Sequence, residues 1–231
     1  MSISEPNGEQ HFDVEVVREN ARINRDRIRG AGGDDDSVEL LAVTKGFGAE
    51  AVIAASRAGL HIIGESYAQE LLDKWPMVAA ELGDAVPAVH FIGGLQKNKI
   101  RKLVGMVSVW QSIDRLSVAQ ELAKRAPKAK MLLQLNVSGQ QAQGGCPMAE
   151  ADEFLEQCRN LGLDVVGCMA IGVQGDATQI RAGFGAVTEF ADKHSLEIRS
   201  MGMSGDLEIA VEAGSTMVRV GTAIFGARPA R

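Results

Sequence analysis

Lys45 is the residue with the clearest capacity for chemistry in this sequence. It directly follows an apolar run in the segment LLAVTKGFG. A lysine rooted among apolar residues is partly desolvated, which lowers its pKa and supplies the neutral amine that attacks an aldehyde. The alternative is a solvated lysine that pairs with a carboxylate such as Glu50 or Glu65. Position alone favours this alternative.

Two segments near the end of the chain have the composition of an anion site. In SMGMSGDLEIAV, Ser204 and Gly205 precede a helical stretch, and in STMVRVGTAIFG, Gly221 and Thr222 follow an apolar run. Glycine lets backbone N–H groups approach an anion, hydroxyls can donate to it, and a helix N-terminus adds a favourable dipole. The alternative is that these glycines only form tight turns, but two such loops together favour a phosphate site.

Arg219 lies two residues before Gly221, inside an apolar run. If this run is a strand, the alternation of side chains places Arg219 on the same side as Gly221 and Met217. A guanidinium on a buried side needs a partner. Two partners stay open: the ring nitrogen of a pyridine, which can accept a hydrogen bond, or a carboxylate of Glu65 or Asp206.

The elements that position these residues repeat along the chain. An amphipathic helix is predicted at residues 13–29. It is followed by eight apolar runs, which are predicted strands, at residues 39–44, 61–63, 88–92, 106–110, 130–137, 164–171, 197–203 and 216–220. Between these strands, apolar residues three or four positions apart predict helices at residues 49–58, 66–82, 96–104, 114–125, 148–161, 177–193 and 206–213.

Strands that are apolar on both faces indicate a parallel sheet. Eight strand–helix units in 231 residues fit a closed barrel better than an open sheet. We therefore expect an α/β protein with a single (β/α)8 TIM barrel at residues 13–231, an extra N-terminal helix, and a disordered segment at residues 1–12. Chemistry in such barrels lies where the strands end. The residues at the predicted strand ends are Lys45, Glu65, Gly93, Ser112, Asn136, Gly172, Ser204 and Gly221.

Composition narrows the class of partner. A formal net charge of −6 argues against a nucleic-acid-binding domain. Three cysteines with no paired spacing and no signal segment favour a cytoplasmic protein with free thiols, and no apolar run is long enough to span a membrane. Histidine and cysteine spacing predicts no metal site. The basic stretch at residues 96–102 is expected to be a solvated helix face, with docking of an acidic partner as the alternative.

Beyond these patterns, long segments resemble a known family. LLAVTKGFG, IIGESYAQELLDKW, HFIGGLQKNKIRKLV, SIDRLSVAQEL, LLQLNVSGQQAQGGC and SMGMSGDLEIAVEAGSTMVRVGTAIFGAR are similar to the pyridoxal 5′-phosphate (PLP) homeostasis proteins. The resemblance covers nearly the whole chain from residue 13 onward. Many members of that family carry asparagine where this chain has Ser66, and a proline and a lysine near Gly48 and Gln143.

The resemblance implies a barrel like the N-terminal domain of alanine racemase, with PLP held as a Schiff base on Lys45. It further implies that Ser204, Gly221 and Thr222 hold the phosphate and that Arg219 faces the pyridine nitrogen. Members of the family are implicated in storing, delivering or buffering PLP and in amino-acid balance, without established turnover. The expected partners are therefore PLP and PLP-dependent apoenzymes.

A PLP carrier is favoured over an enzyme, and no catalytic residue is assigned. Arginine keeps its proton, so Arg219 would not protonate the pyridine, which weakens the ring as an electron sink. A fold-type III amino-acid racemase is the alternative, but it requires a second base, and Tyr67 is more simply a packing residue. A barrel enzyme that binds another phosphate, with Lys45 attacking a carbonyl substrate, is a third hypothesis. We expect a monomer.

Overall fold

Eight parallel strands of the chain form a closed ring. The computed structural model describes residues 11–140 and 143–228. Its strands are β1 Glu39–Val43, β2 Ile62–Glu65, β3 Ala88–Phe91, β4 Val107–Ile113, β5 Lys130–Asn136, β6 Cys146–Pro147, β7 Asp164–Ala170, β8 Ile198–Ser200 and β9 Met217–Val220. Neighbouring strands follow the order β4-β3-β2-β1-β9-β8-β7-β5-β6, and a β4–β5 pairing closes the barrel. The two residues of β6 pair with the end of β5 outside the ring.

A helix follows each barrel strand and covers the outside of the barrel. The helices of the described residues are α1 Val14–Gly30, α2 Ala49–Arg57, α3 Ala68–Leu82, α4 Lys97–Leu103, α5 Leu116–Arg125, α6 Ala151–Asn160, α7 Ala177–Lys193, α8 Leu207–Glu212 and α9 Thr222–Phe225. This architecture confirms the predicted α/β fold, a TIM barrel with an extra N-terminal helix. In residues 11–140 and 143–228, no helix has the length and apolar character needed to cross a membrane.

The apolar side chains form one outer layer and two inner clusters. The outer layer lies between strands and helices and contains most of the buried residues. Inside the barrel, Leu41 and Val43 pack with Met217, while Val109 and Leu132 pack in a second cluster with Met169. Burial on both faces explains the nearly continuous apolar strands, as in β5, where five consecutive residues are buried.

Helix α1 begins at the N-cap Asp13, whose side chain accepts a hydrogen bond from the Glu15 backbone N–H at 2.9 Å. The rings of Phe12, Phe47 and Phe225 pack against one another with centroids 5.6 to 5.8 Å apart, in edge-to-face and tilted arrangements. The expected disordered segment at residues 1–12 falls, up to residue 10, outside the described residues. Its boundary needs correction at Phe12, because burial of this ring ties the chain to the barrel.

Several predicted boundaries differ from the structure, and one short helix was not predicted. Strand β4 continues to Ile113, so Ser112 lies inside the strand instead of ending it, and its Oγ donates to the Gly93 carbonyl. Strand β8 ends at Ser200 instead of residue 203, because Gly202 adopts a φ of +92° that a strand does not allow. Helix α9 was not predicted, since its four residues are too few to show helical periodicity.

Candidate functional site

Lys45 lies two residues after Val43, the last residue of β1, and lines a cavity of about 290 Å³ at the end of the barrel where the strands terminate. Burial lowers the pKa of Lys45, and the positive charges of Arg228 and Arg219 lower it further, although Glu65 and Glu70 act in the opposite direction. Within the described residues, Lys45 makes no ion pair. Glu65, one of the partners considered from the sequence, pairs instead with Lys74. The lysine therefore lines the cavity without a direct ion pair among the described residues.

The turn that carries Lys45 is held in place by helix α3. The Nζ of Lys74 donates to the carbonyl oxygens of Thr44 and Phe47 at 3.1 and 3.2 Å. The backbone N–H of Gly46 donates to Glu70 Oε1 at 2.7 Å. Gly46 has a φ of +80°, which favours glycine, and a Cβ there would lie 2.8 Å from the Arg228 Cδ. These contacts fix the backbone on both sides of Lys45.

The cation of Lys74 is itself held in a buried ion pair. Its Nζ lies 2.5 Å from Glu65 Oε1, and the Lys74 and Glu65 side chains are 5% and 0% exposed. The Thr44 hydroxyl donates to the same Glu65 oxygen at 2.5 Å. Desolvation raises the pKa of Glu65, while Lys74 and Thr44 lower it. This pair was not anticipated from the sequence, since Lys74 lies in a helical stretch with no local signal for burial.

The two glycine-containing loops meet at the same cavity. Ser204 and Gly205 lie between β8 and α8, and Gly221 and Thr222 lie at the junction of β9 and α9. Among the described residues, no acceptor bonds the backbone N–H groups of Ser204, Gly205 and Thr222. Hydroxyls and unbonded N–H groups directed by small residues are the chemistry that binds phosphate.

Helix α1 supports both of these loops. The Arg27 guanidinium donates to the Ser204 carbonyl oxygen at 2.9 Å and pairs with Glu208 of α8 at 2.7 Å. The Asn20 side chain donates to the Ile224 carbonyl oxygen of α9 at 2.9 Å. The extra N-terminal helix therefore contacts the elements that carry the anion-binding groups.

Arg219 reaches the same cavity from inside strand β9 and is 5% exposed. Its Nη1 donates to the Ser200 carbonyl oxygen and hydroxyl at 2.5 and 2.9 Å, and its Nη2 donates to the Ala170 carbonyl oxygen at 2.8 Å. In the part of the chain that the structure describes, it makes no ion pair with Glu65 or Asp206, the carboxylates considered above. Burial lowers the pKa of Arg219 to about 10, so the guanidinium stays charged at neutral pH.

The rest of the cavity wall was not identified from the sequence. Arg228 adds a second guanidinium, and the apolar side chains are Val43, Ile92, Met169, Ile171 and Met203. Only tertiary structure assembles these residues, which come from five different segments of the chain. The cavity thus joins an amine, two guanidinium groups, two hydroxyls and apolar walls.

Other residues with chemically reactive or polar side chains lie elsewhere. Cys146 is buried, and desolvation raises the pKa of its thiol to about 11, which makes it a poor nucleophile. The Oγ of Ser66 is buried without a hydrogen-bond partner, and Ser66 does not line the cavity. Tyr67 is 42% exposed and also lies outside the cavity lining. No group of three or more potential ligands for a metal occurs in the described residues.

Comparison with known proteins first defines the class of this barrel. The model of the family described as alanine racemase, N-terminal domain, matches residues 13–229. An alanine racemase structure from Corynebacterium glutamicum superposes with a TM-score of 0.71 at 15% identity, over 95% of this chain and 62% of the racemase. At this identity the similarity shows the fold alone.

Closer relatives then define the family. The pyridoxal phosphate homeostasis protein of Pseudomonas aeruginosa is 39% identical over 221 residues, covering 92% of this chain and 94% of the relative. The protein of the same name from Escherichia coli K12 is 38% identical over 222 residues, covering 88% and 93%. The structure of PipY from Synechococcus elongatus with PLP bound superposes with a TM-score of 0.78 at 31% identity, covering 91% of this chain and 100% of PipY. The chain belongs to the pyridoxal phosphate homeostasis protein family.

Proposed function

We propose that this chain binds PLP reversibly in the Lys45 cavity and stores it for other proteins. The observation that carries the proposal is the convergence of Lys45, Ser204, Arg219, Gly221 and Thr222 on one cavity. Ser204, Gly221 and Thr222 hold the phosphate, and Arg219 donates to the pyridine nitrogen. The family relatives and the PLP-bound PipY structure support PLP as the ligand of this cavity.

Lys45 is the covalent anchor in this proposal. Its amine condenses with the PLP aldehyde to form a Schiff base, and water is released. This step needs the neutral amine, and burial and two nearby guanidinium groups favour that form. Because water reverses the condensation, the same bond that holds the cofactor also allows its release.

The cavity lining favours a carrier over an enzyme. When bound, PLP supplies an electron sink for carbanion chemistry. Arg219 keeps its proton at neutral pH, so it would donate a hydrogen bond to the pyridine nitrogen without protonating it. An unprotonated pyridine ring is a weaker electron sink. Among the described residues that line the cavity there is no histidine, carboxylate, tyrosine or cysteine that could serve as a second base beside Lys45.

The first test is the absorption spectrum of the purified protein with added PLP, before and after borohydride reduction. We expect a band near roughly 420 nm that borohydride removes, and a reduced PLP adduct on the Lys45 peptide by mass spectrometry. Lys45→Ala should lose both signals. Lys97→Ala, which removes an exposed lysine of α4, is the matched control and should retain them. A wild-type protein without band and adduct would refute the proposal.

A racemase is the second candidate, because the model of the alanine racemase N-terminal domain family matches residues 13–229. Incubation of the PLP-loaded protein with single amino acids in deuterium oxide distinguishes the two functions. A carrier leaves the α-hydrogen in place, whereas a racemase exchanges it and inverts the configuration. Exchange that depends on Lys45 would replace the carrier proposal.

Storage also implies transfer. We propose that this chain is a cytoplasmic monomer and that it transfers its PLP to PLP-dependent apoenzymes. The three buried free thiols, Cys146, Cys158 and Cys168, are consistent with a reducing compartment. Activation of an apoenzyme by the PLP-loaded protein should proceed in the presence of a trap that consumes free PLP. Equal inhibition by the trap with free and with protein-bound PLP would indicate buffering in place of directed transfer.

A further inference from the structure

Four buried polar side chains cross the interior of the barrel below the Lys45 cavity. They are His90 on β3, Gln111 on β4, Ser200 on β8 and Arg219 on β9, and none is more than 5% exposed. We name this set the interior relay. Polar groups in an apolar interior are costly unless they are hydrogen-bonded, so their arrangement requires a physical reason.

The relay is continuous. Arg219 Nη1 lies 2.9 Å from Ser200 Oγ, Ser200 Oγ lies 2.7 Å from Gln111 Oε1, and Gln111 Nε2 lies 2.7 Å from His90 Nδ1. Gln111 Nε2 also lies 3.1 Å from the Met217 sulfur, which can only accept. Both neighbours of this nitrogen are therefore suited to receive a hydrogen.

The donor and acceptor groups of these side chains allow only one direction of hydrogen bonding along the relay. A guanidinium has only donors, so the Ser200 hydroxyl accepts from Arg219 and directs its own hydrogen to the Gln111 carbonyl. An amide nitrogen only donates, so His90 Nδ1 accepts and the ring is neutral with its hydrogen on Nε2. His90 also lines a second cavity, of about 420 Å³, which contains residues at the starts of the strands, such as Glu39 and Lys130. The relay therefore runs from the cofactor cavity to the opposite mouth of the barrel.

The position of the Arg219 guanidinium depends on this direction. It is held by neutral acceptors, the Ser200 and Ala170 carbonyls and the Ser200 hydroxyl. The hydroxyl can accept from Arg219 only while its hydrogen is directed elsewhere, and Gln111 is the group that receives this hydrogen. Gln111 in turn keeps its carbonyl towards Ser200 because its nitrogen is bonded to His90.

We propose that Ser200, Gln111 and His90 are positioning residues that fix the Arg219 guanidinium for the pyridine nitrogen. This inference rests on the proposed function, since it concerns the ring end of the same cofactor site. The relay orients the Arg219 guanidinium without a carboxylate partner. An ion pair in its place would draw the guanidinium away from the ligand.

The direction of the relay can be tested without PLP. In protein labelled with ¹⁵N-histidine, we expect the His90 signal to show an unprotonated Nδ1 and a protonated Nε2 at neutral pH. Assignment by loss of the signal in His90→Gln separates it from the other three histidines. A ring protonated at Nδ1 would reverse the direction of the Gln111 amide and overturn the proposal.

The effect on the cofactor site is tested with Gln111→Leu, which removes the hydrogen bonds of the amide to Ser200, His90 and Met217. We expect its PLP Kd to rise about tenfold, the size expected for misplacing one donor to the ligand. Borohydride should still attach PLP to Lys45, because the relay does not contact that residue. Gln134→Leu is the matched control, since Gln134 is a buried glutamine of β5 that bonds the Gln143 carbonyl and does not contact the relay.

A second variant covers the case in which Gln111→Leu does not fold. Ser200→Ala removes only the hydroxyl and should raise the PLP Kd about threefold, because the Ser200 carbonyl still holds Arg219. Unchanged PLP affinity in a folded variant of either kind would refute the positioning role. A wild-type protein that binds no PLP would refute the proposed function instead, while the His90 tautomer would still report on the relay.

Discussion

His90 makes the stability of this protein depend on pH in a way that can be calculated. Its side chain is buried on β3, and desolvation lowers the pKa of the ring from 6.5 to about 4. In the unfolded chain the same ring takes up a proton near its ordinary pKa. Below pH 6.5 the unfolded state therefore binds more protons than the folded state. The stability contribution is complete above pH 6.5 and is lost as the pH falls towards 4.

The magnitude follows from the two pKa values. At pH 5 the His90 ring is largely charged in the unfolded chain and mostly neutral in the folded protein. Protonation therefore shifts the folding equilibrium towards the unfolded state by a factor of about 30. This factor corresponds to a loss of about 2 kcal/mol relative to neutral pH. The full loss, reached below pH 4, is about 3 kcal/mol. A domain with a total stability of about 5–15 kcal/mol would lose a substantial part of it.

The assay is urea unfolding followed by circular dichroism at pH 7, 6 and 5. His90→Gln removes the titrating ring and keeps a side-chain carbonyl that can accept from Gln111. We expect the wild type to lose about 2 kcal/mol more than His90→Gln between pH 7 and pH 5. His61→Gln, which removes an exposed histidine, is the matched control. The same pH dependence in the wild type and in His90→Gln would refute the argument.

Three further variants test the contacts around the site. Lys74→Met should lower the free energy of unfolding in urea by about 3–5 kcal/mol, since it leaves Glu65 buried without a cation; a loss below 1 kcal/mol would contradict a buried ion pair. Phe12→Ala should cost about 3 kcal/mol in the same assay, because its ring packs inside an aromatic cluster, and no change would show that the segment before α1 is not anchored. Arg27→Ala should raise the PLP Kd about threefold, measured by absorption titration, because it releases the Ser204 carbonyl. An unchanged Kd would mean that α1 does not support the loop.

Helices and strands with many residues and strong patterns were predictable. Helix α7 was predicted at residues 177–193 and is observed at Ala177–Lys193, since it is long and begins with a capping box at Asp176. Strand β8 and helix α9 were not predicted correctly, because three and four residues carry too little pattern. The order of the helices and strands was therefore predicted better than the residues at which they begin and end.

In the functional site, too, some residues could be predicted from the sequence and others could not. Lys45, Ser204 and Gly221 were chosen as predicted strand ends, Thr222 as a hydroxyl in a glycine-containing loop, and Arg219 as a guanidinium inside an apolar run. The structure places all five around one cavity. Arg228 and the apolar wall could not be chosen, since their type and local context do not differ from those of other residues.

By itself, the sequence determined the barrel, the amine at the end of β1 and the two glycine-containing loops, because these depend on periodicity and on residue type. Only the tertiary structure decided which groups are partners. Glu65 pairs with Lys74 instead of Lys45, and Arg219 is bonded to two carbonyls and to the Ser200 hydroxyl instead of a carboxylate. These choices depend on distances of a few ångströms between residues far apart in the chain, and burial sets their strength. Neither quantity is encoded in a local pattern.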